Sequence, residues 1–172
     1  MAKVSLRTWE GRHRSFAFWW VTALGSGMLR PAPGTWGSLL GVIAGYFMLE
    51  GGVDQIEIAA WVVGITLLSS KLIDSIEAIT GIHDAPEIVI DEVAGQWLAL
   101  LPLVGLTVLP FLFALAFLLF RFFDILKPWP IGWLDRQVSG GFGVMVDDLV
   151  AGLMAAIVIW VLLTFDLLEW AI

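Results

Sequence analysis

Asp91 and Glu92 stand side by side in the stretch I-V-I-D-E-V-A-G, with no basic residue within a helical turn on either side. An ionised carboxylate left unpaired at membrane depth costs on the order of 2.5–3.5 kcal/mol. A distant cation, a proton or a divalent metal ion must therefore compensate the pair. A second group, Arg121, Asp124 and Lys127, recurs every third residue at the end of an apolar run and ahead of Pro128 and Pro130. That spacing puts the three on one helical face, as a salt-bridge ladder or as a phosphate site. A third stretch, G-G-F-G-V-M-V-D-D, reads as glycines preceding a helix whose first turns carry Asp147 and Asp148. Acids there complement the helix dipole, whereas close backbone approach to an anion would need a metal ion to offset their repulsion. A fourth, G-S-G-M-L-R-P-A-P-G-T-W-G-S, offers Arg30, Thr35 and Ser38 in a Gly/Pro-rich turn, with Thr35 as a helix N-cap. It contains no Walker-type phosphate loop. Asp84 and Glu87, around Pro86, have the spacing of a capping box.

The elements that must hold these groups are apolar. Of 172 residues, 59% are hydrophobic and 15% charged, above the roughly 45–50% apolar content of soluble domains. A single integral membrane domain is expected, all-α, because open strand edges cannot be satisfied in lipid. Five apolar segments, 36–49, 56–70, 93–106, 107–120 and 149–165, are the candidate spans, most of them shorter than the ~20 residues of a full crossing. The run 16–24, with Trp19 and Trp20, is expected as an interfacial helix that is retained rather than cleaved. There is no cysteine and there are two histidines, which excludes a thiol nucleophile, disulfides and a histidine-rich metal centre. At a formal charge of −7 no nucleic-acid partner is expected, and nothing in the sequence specifies an oligomeric state.

All nine basic residues fall in the amino-terminal arm or in the connections 29–35, 71–92 and 121–148, as do eleven of the sixteen acids. With five crossings these connections share one face, which the positive-inside rule makes cytoplasmic. The four chemistry-bearing stretches then meet there. Glu87, Asp91, Glu92, Asp124, Asp147 and Asp148 are hard oxygen ligands, the kind suited to Mg²⁺ shared with a substrate phosphate. Arg30, Arg121 and Lys127 suit the phosphoryl oxygens. Residue chemistry alone thus reaches a metal-assisted phosphoryl enzyme at a membrane surface.

The stretches 25–38, 88–95 and 120–131, then Asp135-Arg136 and 140–152, cover about a third of the chain and, in that order, resemble the phosphatidylglycerophosphatase A family of bacterial inner membranes. The resemblance implies magnesium-dependent hydrolysis of phosphatidylglycerophosphate to phosphatidylglycerol and inorganic phosphate, on the cytoplasmic face. Asp91, Glu92, Asp147 and Asp148 are then the expected metal ligands, and Asp124 a further ligand or general base. Arg30, Thr35, Arg121 and Lys127 are the expected phosphate contacts. Direct water attack and a covalent aspartyl-phosphate are both compatible with this set. The alternative is an ion-coupled transporter, which would distribute its acids through the membrane depth.

Overall fold

The computed structural model describes residues 5–82, 84–106 and 109–168. Lys3, His83, Thr107 and the last residues of the tail lie outside them. Among the described residues there are seven α-helices and no strand: α1 (Phe16–Val21), α2 (Pro33–Glu50), α3 (Gln55–Thr80), α4 (Ile90–Ala99), α5 (Pro110–Leu126), α6 (Ile131–Gln137) and α7 (Gly140–Thr164). Short 3-10 turns join several of them.

The all-α expectation holds, while the five spans do not all follow. Among the described residues, α3 and α7 alone are long and apolar enough to cross a membrane. In each, 39% of the most apolar 18 residues are buried inside the protein, and Trp61 and Leu67 on α3 and Ile157 and Trp160 on α7 stand exposed. The 36–49 segment becomes the 18-residue α2, diluted by glycine, Thr35, Ser38 and a terminal Glu50. The 93–106 segment yields only the ten-residue α4 and a 3-10 turn, Leu101–Leu103. At ~1.5 Å per residue α4 is roughly 15 Å long, half a hydrocarbon core.

α4 is instead the central helix. Eight of its ten residues are buried, and α2, α3, α5 and α7 all pack on it. Small residues make that possible. A Cβ on Gly37 would stand 2.6 Å from Val89 Cβ, and one on Gly41 3.1 Å from Gln96 Cβ. Gly45 leaves room for Leu100. This glycine stripe lays the backbone of α2 against α4.

Helix ends correct several local expectations. α2 starts at Pro33, with Ala32 at the N-cap, so Thr35 lies inside the first turn. α7 starts at Gly140, so the glycines belong to the helix and Asp147 and Asp148 lie about two turns in, beyond the dipole's reach. Gly141 donates its N–H to Asp74 Oδ1 on α3 at 2.6 Å. Asp84 and Glu87 form no capping box, because α4 begins only at Ile90. Glu87 is buried and accepts from Leu6 N at 3.0 Å, from Arg7 Nε at 3.2 Å and from Ser5 Oγ. It pins the amino-terminal arm. The helix expected at 16–24 is the six-residue α1, whose Phe18 and Val21 are fully buried. Trp20 Nε1 donates to Ser69 Oγ at 2.9 Å, anchoring α1 to α3.

Candidate active site

Where α4 crosses α7, glycine meets glycine. A Cβ on Gly95 would stand 2.5 Å from the Asp148 carbonyl oxygen and 2.6 Å from Phe120, and one on Gly152 would collide with the Gly95 carbonyl. Asp91 lies one turn before Gly95, and Asp148 one turn before Gly152. The close crossing therefore carries these two acids to each other. With Glu92 they form a cluster in which one carboxylate oxygen from each lies within 4.8 Å of the others.

The clustered acids lie at the base of a cavity of about 590 Å³ that also receives α2, α5 and the 127–140 connection. On α5, Arg121 pairs with Asp124 and reaches Ser38 Oγ of α2 at 3.4 Å. Ser38 is buried and donates to the Gly34 carbonyl at 2.8 Å. Gly34 leaves room here for the ends of the Glu92 and Arg121 side chains, which a Cβ at this position would push aside. Pro128 ends α5 as expected, and Lys127 turns into the left-handed region, φ 43°. That turn takes Lys127 off the α5 face, so it pairs not with Asp124 but with Asp135 at 2.7 Å and with Asp147.

The cavity wall carries Asp84, Asp91, Glu92, Asp124, Asp135, Asp147 and Asp148 against Arg121 and Lys127. Such a balance repels a phosphate dianion until cations enter. Glu92 Oε2, Asp147 Oδ1 and Asp148 Oδ2 are buried without a hydrogen-bond partner, a costly arrangement that oxygen-seeking cations would relieve. Burial, then the charge of Glu92, pushes the Asp91 carboxyl well above the ordinary carboxylate range. Glu92 is pushed up to about 8, chiefly by burial; contact with Asp91 and the charge of Arg121 pull it down, and Asp148 and Asp124 push it up. For Lys127, burial disfavours the ammonium, but the bonds to Asp135 and Asp147 prevail and hold it above its ordinary value. The donor set and the orphaned oxygens fit a hard divalent cation.

Of the expected metal ligands, Asp91, Glu92 and Asp148 come together, whereas Asp147 is turned toward Lys127. Asp124, Arg121 and Lys127 line the same cavity. Arg30 is exposed, and neither it nor Thr35 lines the cavity. Ser38, which the sequence groups with Arg30 and Thr35 in the Gly/Pro-rich stretch, does reach the site through Arg121, whereas Asp135 was not singled out by sequence reasoning as a site residue. Asp135 had a signal, in that Pro128 and Pro130 fold the chain back within reach of Lys127.

A sequence model of phosphatidylglycerophosphatase A matches residues 19–163. The chain belongs to the phosphatidylglycerophosphatase A family. Membership makes it an enzyme, a lipid phosphatase. A phosphatidylglycerophosphatase A of Haemophilus influenzae is 41% identical over 141 residues, 81% of this chain and 84% of the relative. The phosphatidylglycerophosphatase A of Escherichia coli is 37% identical over 139 residues, 79% of this chain and 77% of the relative. A putative phosphatidylinositol-3-phosphatase of Bacteroides thetaiotaomicron is 37% identical over 141 residues, 80% and 87% of the two chains. No solved structure matches the chain.

Proposed function

We propose that this member of the phosphatidylglycerophosphatase A family hydrolyses phosphatidylglycerophosphate to phosphatidylglycerol and inorganic phosphate, with magnesium, on the cytoplasmic face of a bacterial inner membrane. The observation that carries the reading is the Asp91, Glu92 and Asp148 cluster facing Arg121 and Lys127 across one cavity. A transporter would leave this convergence on one end of the bundle unexplained.

Asp91, Glu92 and Asp148 would hold the metal, and Asp147 would orient Lys127 while offering its free Oδ1. Bound magnesium supplies Lewis acidity and a template for the phosphoryl oxygens. Arg121, steadied by Asp124 and Ser38, presents its fork to two phosphoryl oxygens. Lys127 adds a charge that stays on at neutral pH and stabilises the oxygens as the P–O bond to the glycerol lengthens. Asp124 accepts a proton from the attacking water, whose oxygen forms the new P–O bond as the P–O bond to the glycerol breaks, and Asp124 then returns that proton to the leaving alkoxide, which departs as the alcohol. Arg30 stands outside the cavity, where it suits the approaching anionic headgroup rather than the reacting phosphate.

The test is phosphate release from detergent-dispersed phosphatidylglycerophosphate, with magnesium and then with chelator. Release with magnesium and none with chelator is expected. Folded protein that releases none in either condition overturns the reading. Phosphatidylinositol 3-phosphate, the lipid in the name of the Bacteroides relative, belongs in the same assay, with the lower turnover expected.

A further inference from the structure

Between α2 and α5 runs an apolar groove of about 470 Å³, walled by Leu39, Ile43 and Tyr46 on one side and Phe113, Ala114 and Phe117 on the other. Apart from the Tyr46 hydroxyl, its lining side chains are hydrocarbon. Its lining on α2 and α5 starts about one helical turn from residues that line the acidic cavity, Gly34 and Arg121. On α5, Phe117 lies one turn before Arg121, and Ala114 and Phe113 continue the same face. On α2, Leu39 follows Ser38, the residue that Arg121 reaches. From Leu39 to Phe47 the groove extends roughly 12 Å along α2. One seam between two helices is thus charged at one end and hydrocarbon along the rest, matching an amphiphile with a phosphate head. Another open apolar hollow, lined by Gln55, Leu101 and Trp160, lies at the opposite end of the bundle from the acids.

We infer that the α2–α5 groove holds one acyl chain of the lipid substrate and so sets how strongly chain length counts in turnover; the inference rests on the lipid-phosphatase reading. Filling the groove tests it. Ala114 is exposed at its wall, so Ala114→Phe places a ring in the groove rather than in the core. Turnover is measured on dioleoyl and on dihexanoyl phosphatidylglycerophosphate. The long-chain to short-chain ratio of kcat/KM is expected to fall about tenfold or more, through KM, since each methylene lost from an apolar pocket counts severalfold. Ala60→Phe, exposed on α3, is the control, and its ratio should match wild type.

An unchanged ratio in Ala114→Phe means that the groove holds ordinary bilayer lipid and overturns the inference. So does an equal fall in Ala60→Phe. A changed oligomeric state with an unchanged ratio assigns the groove to a second copy and overturns it as well. Wild-type protein inactive on both lipids overturns the parent reading, and the groove assignment with it. Activity on both with an unmoved ratio overturns the groove alone.

Discussion

Asp91 and Asp148 set like charges against each other across a helix crossing, an arrangement that weakens the fold unless a cation sits between them. Asp91→Asn and Asp148→Asn, made singly, should lower turnover on the order of a hundredfold or more. Thermal unfolding in chelator should show both variants at least as stable as wild type, because Asn replaces a carboxyl whose charged form burial and its acidic neighbours disfavour. A loss of stability equal to that of a core substitution would make these carboxylates structural. Glu92 adds a pH signature. Its ordinary value is 4.5 and its value here about 8, so between those limits the folded protein holds more protons than the unfolded chain. Without metal, stability should be greatest at the acid end of that window and fall as pH rises through it. Magnesium competes with those protons, so the magnesium-induced rise in Tm should be larger at pH 8 than at pH 5. Equal rises at both values would remove Glu92 from the metal site. Asp91 and Glu92 were legible in the sequence because paired acids in an apolar run, without a base nearby, demand a distant partner. Glu87 was misread because a D-x-x-E spacing looks the same whether it caps a helix or, as here, grips Leu6 and Arg7 eighty residues away.

At the scale of elements, the α4–α7 crossing does the positioning. Gly95 and Gly152 have no room for a methyl group, and the neighbours they would meet are backbone carbonyls that cannot swing aside. Gly95→Ala or Gly152→Ala should destabilise by ~1–3 kcal/mol through overpacking. Each should also shrink the magnesium-induced Tm shift, since the helices that carry Asp91 and Asp148 move apart. Gly64, exposed in the middle of α3 with nothing within 4 Å of a Cβ position, is the contrast. Gly64→Ala should stabilise by about 0.5–1 kcal/mol, as expected for a helix interior. Calorimetry of the three variants checks the set; a Gly95→Ala protein as stable as Gly64→Ala would dismiss the crossing. Apolar runs in the sequence located the main helices well, because burial and helix period act locally. They could not show that the 93–106 run would stop after ten helical residues. That depends on α2, α3, α5 and α7 enclosing it, and no local pattern records the enclosure.

For the whole molecule, the five longer elements alternate in direction: α2, α4 and α7 begin at the acidic cavity, and α3 and α5 end near it. Asp74, late in α3, holds the start of α7, and Lys127, at the end of α5, holds Asp147. Around this bundle Phe47, Trp61, Leu67, Leu118, Ile157 and Trp160 stand exposed, more apolar surface than a soluble monomer leaves uncovered. A bilayer is the solvent that suits such a belt. The shorter helices can be accommodated by local thinning or by residues that continue into the interface. Among the described residues, the basic side chains that the sequence grouped on one side then lie toward the cavity end, so the proposed cytoplasmic orientation is the one the positive-inside rule requires. Reporter fusions truncated after residue 52 and after residue 138 should accordingly report opposite sides, with the fusion at 138 cytoplasmic. The first lies at the far end of α2, the second beside the cavity at the start of α7. Reporters on the same side would break the alternation. A reversed pair would put the acidic cavity on the outer face and overturn the cytoplasmic assignment.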